Sequence, residues 1–406
     1  MERILCVPFM KVFLHSLQTM KRAKPIGECV VSDSKVNVEI LEVNSQSLKK
    51  KFILFPFKLY RNDPYWIPPL IIEQKKLFDE KTHPFFKHSK VKFYLAMKDG
   101  KVCGRIAGII NYNHIEFHNE KVGFFGFFEC IDDFEVAKVL FTTVADFLKQ
   151  NGMEIMRGPA NYSTNEECGL LVEGFDSSPF VMMSYNKKYY INLIEQFGFE
   201  KAKDLYAYYM YDQGIPERLD KIAQLVMKRN KDVVIRSVQM KDLKNEIEKI
   251  RVIYNSAWSK NWGFIPMTND EFDYMAKSLK EIIDPEVALI AEVNGNPVGF
   301  SLAVPNVNII LKHLNGRLFP FGIIKFLLNK KKINGVRIIT LGVIEEYRNK
   351  GLDSLLYYYS YKKGTAHGYN HAETSWILED NYTMNKAMVA IGAKHYKTYR
   401  FYDFKL

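Results

Sequence analysis

The chain carries one order of secondary-structure elements twice, and this constrains its fold more than any other feature. In the first pass, Val36 to Leu41 alternates in the manner of a strand, and Lys49 to Tyr60 places apolar residues at helical spacing. Two strands follow, Lys92 to Met97 and Lys101 to Asn111, joined by Asp99-Gly100, a dipeptide that favours a tight hairpin. Then come an apolar strand from Val122 to Cys130, an amphipathic helix from Phe134 to Gln150 and a strand from Met153 to Ala160. A helical stretch reaching Gly198 and a strand from Asp204 to Met210 close the set. The second pass opens with strand Val233 to Val238, helix Lys241 to Trp258 and a strand pair, Val287 to Val293 and Pro297 to Val304, turning at Asn294-Gly295-Asn296. It continues with strand Val336 to Val343, helix Leu352 to Lys363 and strand Ala372 to Leu378, and a helix and final strand end it. Asn186 and Gly198 stand twelve positions apart, Asn381 and Gly392 eleven, and both glycines precede a lysine-bearing turn and an aromatic strand. The repeated order predicts an α/β (α+β) fold of two tandem modules, each a mixed twisted sheet flanked by helices.

One junction differs between the two passes. In the second, the strand ending Leu341-Gly342-Val343 leads into a loop with Arg348, Asn349, Lys350 and Gly351, then into a helix opening with Leu352 and Asp353. Leu352, Leu355, Leu356 and Tyr359 form the core-facing stripe of that helix. The first N–H groups of a helix lack internal partners and its dipole favours negative charge there, so this junction suits an anion. Gly351 lets backbone approach a phosphate, and Arg348 and Lys350 add positive charge. An ordinary strand-to-helix turn with solvated basic residues has the same pattern. The matching junction of the first pass, Ile131-Asp132-Asp133-Phe134-Glu135, is acidic and free of glycine, and it repels phosphate.

Arg348-x-x-Gly351-x-Asp353 resembles the pyrophosphate loop of the GNAT acyltransferase superfamily, whose pattern is Gln/Arg-x-x-Gly-x-Gly/Ala. Asp353 departs from the small residue usual at the last position. Strand Ala372 to Leu378, then Asn381, a helix, a Gly392 turn and a last strand resemble that superfamily's closing segment. Stretches such as Tyr60-Arg61-Asn62-Asp63-Pro64-Tyr65-Trp66-Ile67-Pro68-Pro69, Asn165-Glu166-Glu167-Cys168-Gly169 and Ser375-Trp376-Ile377-Leu378-Glu379-Asp380-Asn381 are similar to a bacterial family of tandem GNAT proteins. Its members include ceramide synthases, which join a fatty acyl group from acyl-CoA to the amine of a long-chain base. The resemblance implies acyl-CoA or acetyl-CoA as co-substrate and no metal. The co-substrate would be held by Leu341, Gly342, Val343, Arg348, Asn349, Lys350, Gly351, Leu352 and Asp353. The repeat divides the chain into residues 1–35, a flexible tail or an extension from an upstream start codon, a degenerate substrate-shaping module at 36–212 and an acyl-CoA-binding module at 213–406. The superfamily's usual tyrosine acid falls near Met388, which cannot donate a proton.

Acyl transfer to an amine also needs a base. Glu373 and, at the end of the same strand, Glu379 and Asn381 are candidates, as is Glu166 or its neighbour Glu167 in the polar run Asn161 to Gly169. Each could equally be a solvated or capping residue. His114 and His118, four apart with Glu120 nearby, lack a placed third metal ligand, and no histidine is tied by sequence to Cys168. The net charge of +11 suits an acidic partner such as CoA or an anionic membrane surface, and no nucleic-acid signature accompanies it. Five cysteines without a C-x-x-C motif point to a reducing compartment. No apolar run reaches the ~20 residues of a membrane span. An insertion at 306–332 is basic, apolar and free of acids, which suits an anionic membrane interface, an acyl-chain lid or packing on the neighbouring module. The expectation is a cytoplasmic protein touching the inner membrane face peripherally. Three readings stay open: an N-acyltransferase on a lipid amine, an N-acetyltransferase on a small polar amine or a protein, and a non-catalytic module that binds acyl-CoA or lipid.

Overall fold

A computed structural model describes residues 38–406; the expected tail at 1–35, with Cys6 and Cys29, lies outside the described residues. In the first half the elements are β1 (Glu39–Glu42), α1 (Gln46–Leu59), α2 (Ile71–Leu77), β2 (Ser89–Lys98), β3 (Lys101–Asn111), α3 (Tyr112–His118) and β4 (Val122–Cys130). They continue with α4 (Phe134–Gln150), β5 (Ile155–Gly158), β6 (Leu170–Glu173), α5 (Tyr190–Phe197) and β7 (Glu200–Tyr211). The second half holds α6 (Glu217–Arg229), β8 (Val233–Ser237), α7 (Leu243–Ala257), α8 (Asn269–Lys280), β9 (Ala288–Val293), β10 (Asn296–Pro305), α9 (Asn308–Leu311) and α10 (Gly322–Asn329). It ends with β11 (Gly335–Val343), α11 (Leu352–Ala366), β12 (His371–Leu378), α12 (Tyr382–Ala390) and β13 (Lys394–Lys405). Among the described residues no helix is long and apolar enough to cross a membrane.

Both hairpins turn where the sequence says. Asp99 and Gly100 have φ of 51° and 72°, Asn294 and Gly295 of 50° and 78°, the paired left-handed conformation of a two-residue turn that matches strand twist. Among the described residues the strands form one mixed sheet of 13, ordered β1-β2-β3-β4-β5-β13-β7-β12-β11-β10-β9-β8, with β6 against β13. Each half's closing strand is handed to the other half. β13 pairs with β5, from Tyr402↔Gly158 to Lys405↔Ile155, and β7 pairs with β12, from His371↔Tyr211 to Leu378↔Leu205. β7 and β13 also pair with each other, so backbone hydrogen bonding runs unbroken across the middle.

Two pairs of neighbours are parallel, and both come apart part-way along. β4 and β5 register only from Val122↔Ile155 to Phe124↔Arg157, and β11 and β12 only from Gly335↔His371 to Ile338↔Thr374. Beyond those points each pair splays, leaving one gap per half. In β4 the splay is built by a bulge. Phe127 has φ of 51°, costly for a bulky residue, and its N–H donates to Asn161 Oδ1 at 2.8 Å. The bulge turns Phe124 and Phe127 to one face and Phe125 and Phe128 to the α4 face, so both faces of β4 bury aromatics. Gly126 is required there: a Cβ would lie 2.0 Å from the Ala160 carbonyl oxygen.

Candidate active site

The two helix N-termini that follow the splayed strands differ in one decisive way. At α4, the Asp133 carboxylate accepts from the Glu135 and Val136 N–H groups at 3.0 and 3.4 Å and pairs with Lys98 at 2.7 Å. Its own side chain therefore fills the position an anion would take. At α11 the N-cap is Gly351, with φ of 81° and no capping side chain, so the first N–H groups stay open. Lys350 Nζ lies 4.2 Å over the Tyr347 ring. The Arg348 guanidinium is turned back onto backbone, donating to the Val343 and Ala257 carbonyls at 3.3 and 2.6 Å. Asn349 has φ of 61°, Leu352 is buried in the core, and Asp353 stands exposed in the first turn.

The end of β11 is packed from below by Trp258, the residue that ends α7. A Cβ on Gly342 would lie 2.3 Å from the indole, so glycine lets the ring press against the strand. Trp258 stacks on Tyr254 at 5.1 Å, and the Tyr254 hydroxyl donates to Asn165 Oδ1 at 2.8 Å. Asn165 and Thr164 further bond the Ile265 and Gly263 carbonyls at 3.0 and 2.5 Å. The open gap of the second half is thus tied to the 159–169 loop of the first.

That loop forms one wall of a cavity of about 480 Å³. The other walls come from α1, α2, the end of β4, the 179–186 loop, α8 and α9, and they are mostly apolar. Glu166 and Glu167 open onto it. Both are surrounded by protein atoms but reach open space: the Glu166 side chain is 34% exposed, and Glu167 is exposed. Burial, with the charges of Glu271 and Glu167, pushes the Glu166 carboxyl up to about 8. Burial pushes Glu167 up to about 6, held there by the charge of Arg337 and a hydrogen bond from Asn161. At neutral pH Glu166 is protonated and Glu167 ionised. His83 Nε2 lies 3.9 Å from Glu166, and burial lowers its ring to about 4, so it is neutral. At the far end, Tyr60 and Tyr190 each donate to Glu129 Oε2 at 2.7 Å, and the buried Arg105 faces that carboxylate at 3.8 Å.

The remaining sequence candidates lie elsewhere. Glu373 is fully buried behind the cavity wall, its carboxyl raised by burial, with Arg337 at 3.6 Å, Ser375 donating at 2.6 Å and Tyr396 also donating to it. Arg337 in turn donates to the Val181 and Met182 carbonyls at 3.0 and 2.8 Å, fixing the 179–186 loop. Glu379 pairs with Lys201 at 2.7 Å and accepts from the Asp204 N–H, and Asn381 caps α12 through the Met384 N–H at 3.2 Å. Met388 is buried in the core. Burial raises the Cys168 thiol far above its ordinary value, so it stays protonated. The His114 ring lies 4.5 Å from that of His118, and His118 Nε2 bonds the Phe264 carbonyl at 2.8 Å. Sequence reasoning did not single out Arg105, Glu129, Glu271 or Arg337. The signal was there: Glu129 and Arg337 are each the lone charge of an otherwise apolar strand, and Arg105 sits mid-strand among apolar residues.

No family model matches the chain. It is 37% identical over 377 residues to the bacterial ceramide synthase of Caulobacter vibrioides (strain NA1000 / CB15N), covering 90% of this chain and 97% of that one. It is 38% identical over 363 residues to protein YghO of Escherichia coli (strain K12), covering 87% and 92%. Among solved structures it resembles a tandem GNAT protein from the clavulanic acid biosynthesis pathway, with TM-score 0.56 and 10% identity over 91% of this chain and 98% of that one. It also resembles the GCN5-related glucosamine N-acetyltransferase region of a fungal multi-domain GH3 β-N-acetylglucosaminidase, with TM-score 0.55 and 11% identity over 91% and 38%. At such identities these two establish a shared fold.

Proposed function

The chain belongs to the family of the bacterial ceramide synthase, with the tandem GNAT fold, and on that premise we propose that it is an acyl-CoA-dependent N-acyltransferase whose acceptor is the primary amine of a long-chain lipid base. The observation that carries this reading is an uncapped helix N-terminus after a splayed strand, linked through Trp258, Tyr254 and Asn165 to the wall of an apolar cavity onto which two carboxyls of different protonation open. The division of labour runs between the halves. The α11 N-terminus, with Asn349, Lys350 and Gly351, would hold the pyrophosphate of acyl-CoA, and Leu341 to Val343 would line its pantetheine arm in the gap beyond Ile338. Asp133 excludes the same role at α4.

In the reaction the amine nitrogen attacks the thioester carbonyl carbon. A C–N bond forms, the C–S bond breaks and CoA leaves as its thiol or thiolate. The proton lost from nitrogen passes to the Glu167 carboxylate, while protonated Glu166 offers a hydrogen bond at the same wall. Backbone N–H groups of β11 that face the gap polarise the carbonyl. The cavity volume of about 480 Å³ lies within the roughly 300–1,000 Å³ of small-molecule sites. Its apolar walls favour a lipid chain over a small polar amine. A membrane surface would supply such an acceptor.

Incubation with palmitoyl-CoA and sphinganine, followed by mass spectrometry, is expected to give the N-palmitoyl amide. Product from acetyl-CoA and glucosamine, with none from the lipid pair, would instead support transfer to a small polar amine.

A further inference from the structure

The connection between β10 and β11 carries an apolar face on which nothing packs among the described residues. Phe319, Phe321, Ile324, Leu327 and Leu328 are between 52% and 76% exposed. On α10, Ile324, Leu327 and Leu328 recur at i, i+3, i+4, so the apolar stripe points outward, while Phe326 packs inward toward Val181 and Val307. Exposed cations surround the stripe: Arg317, Lys325, Lys330, Lys331 and Lys332. No acidic residue occurs from 306 to 332. The base of the segment is fixed. Asn308 Nδ2 donates to the Pro179 carbonyl at 3.0 Å, and Leu314 is buried.

The segment also belongs to the cavity wall. Asn308 and Leu311 of α9 line the cavity, as do Leu70, Glu73, Gln74 and Leu77 on or beside α2. The Gly316 carbonyl accepts from the first N–H of α2, at Ile71, at 2.9 Å. The outer face of α2 carries exposed Ile72 and Lys75, which continue the mixture of apolar and cationic side chains, while Lys76 pairs with the exposed Glu73 at 2.9 Å.

We infer that residues 317–332, with the outer face of α2, dock this protein on an anionic lipid bilayer and set the cavity wall against it, so that the acceptor enters from the membrane. Charge complementarity selects this occupant. Exposed apolar side chains enter the headgroup boundary while a collar of lysines meets anionic headgroups, and no carboxylate in the segment opposes the contact. The purpose of the docking rests on the lipid-acceptor reading; the docking itself does not.

Co-sedimentation with vesicles tests it. The protein is expected to bind vesicles of equal parts phosphatidylglycerol and phosphatidylcholine, to bind pure phosphatidylcholine far more weakly and to release as salt rises. The triple change Lys330→Ala, Lys331→Ala, Lys332→Ala should weaken binding on the order of a hundredfold. Leu327→Ser with Leu328→Ser should weaken it at least about tenfold. Both variants should keep wild-type transfer to a detergent-dispersed amine, which shows that they fold. Wild type that ignores anionic vesicles, or variants that bind as wild type does, would overturn the docking even if transfer is normal. Self-association dispersed by the leucine changes, without vesicle binding, would overturn it in favour of a second copy. Vesicle binding without any acyl transfer would leave the docking standing and remove the catalytic reading.

Discussion

Glu167→Gln is expected to lower kcat by about 10²- to 10⁴-fold while the affinity for acyl-CoA stays unchanged. Among the candidates, Glu167 alone combines three properties: it opens onto the cavity, its carboxyl lies near 6, and it is ionised at neutral pH. A base with that value gains activity as pH rises through about 6, so the acid limb of the wild-type profile should inflect there and the inflection should vanish in the variant. Glu166 supplies the internal control. Pushed up to about 8, it is already protonated at neutral pH, so Glu166→Gln replaces a neutral group with a neutral group. That variant should keep most of the rate at pH 7. Steady-state rates against pH for the two variants separate the roles; equal losses at pH 7 would contradict them.

Glu373→Ala is expected to cost about 3–5 kcal/mol of stability, because it strands a buried guanidinium without its counter-charge. Arg337 and Glu373 face each other in register across β11 and β12, both essentially unexposed. Each also holds other groups, Arg337 the Val181 and Met182 carbonyls and Glu373 the Tyr396 hydroxyl. Removing both charges together, as Arg337→Met with Glu373→Ala, should recover part of the loss, since no unpaired charge remains. Thermal or denaturant unfolding checks both. A Glu373→Ala protein as stable as wild type but unable to transfer acyl groups would return Glu373 to the chemistry.

Much of the fold was legible because its signals are local. The two hairpin turns, the alternating strands and the stripe of α11 need only neighbouring residues, and the repeated order gives the mixed α/β class. The exchange of β7 and β13 was hidden because both are aromatic strands of similar length, and nothing in either says which sheet it closes. The bulge at Phe127 was hidden by a run of aromatics that reads equally well on both faces. The site was legible in part for the same reason. The glycine junction before α11 and the acidic one before α4 are local, and the structure holds them as an open and a self-capped helix end. Glu373 looked like a strand-borne base because its partner, Arg337, lies on the adjoining strand. Glu271, from α8, meets Glu166 only in three dimensions.

The central claim is that the second half holds the donor and the first half the acceptor and its base. Calorimetric titration of palmitoyl-CoA into wild type, Glu167→Gln and Gly351→Val tests it most directly. Valine at 351 meets both a left-handed backbone, with φ of 81°, and Val226, 2.5 Å from the added Cβ. Wild type and Glu167→Gln should bind alike, and Gly351→Val should lose binding at least about tenfold with its fold intact by circular dichroism. Binding lost in Glu167→Gln and kept in Gly351→Val would contradict the claim.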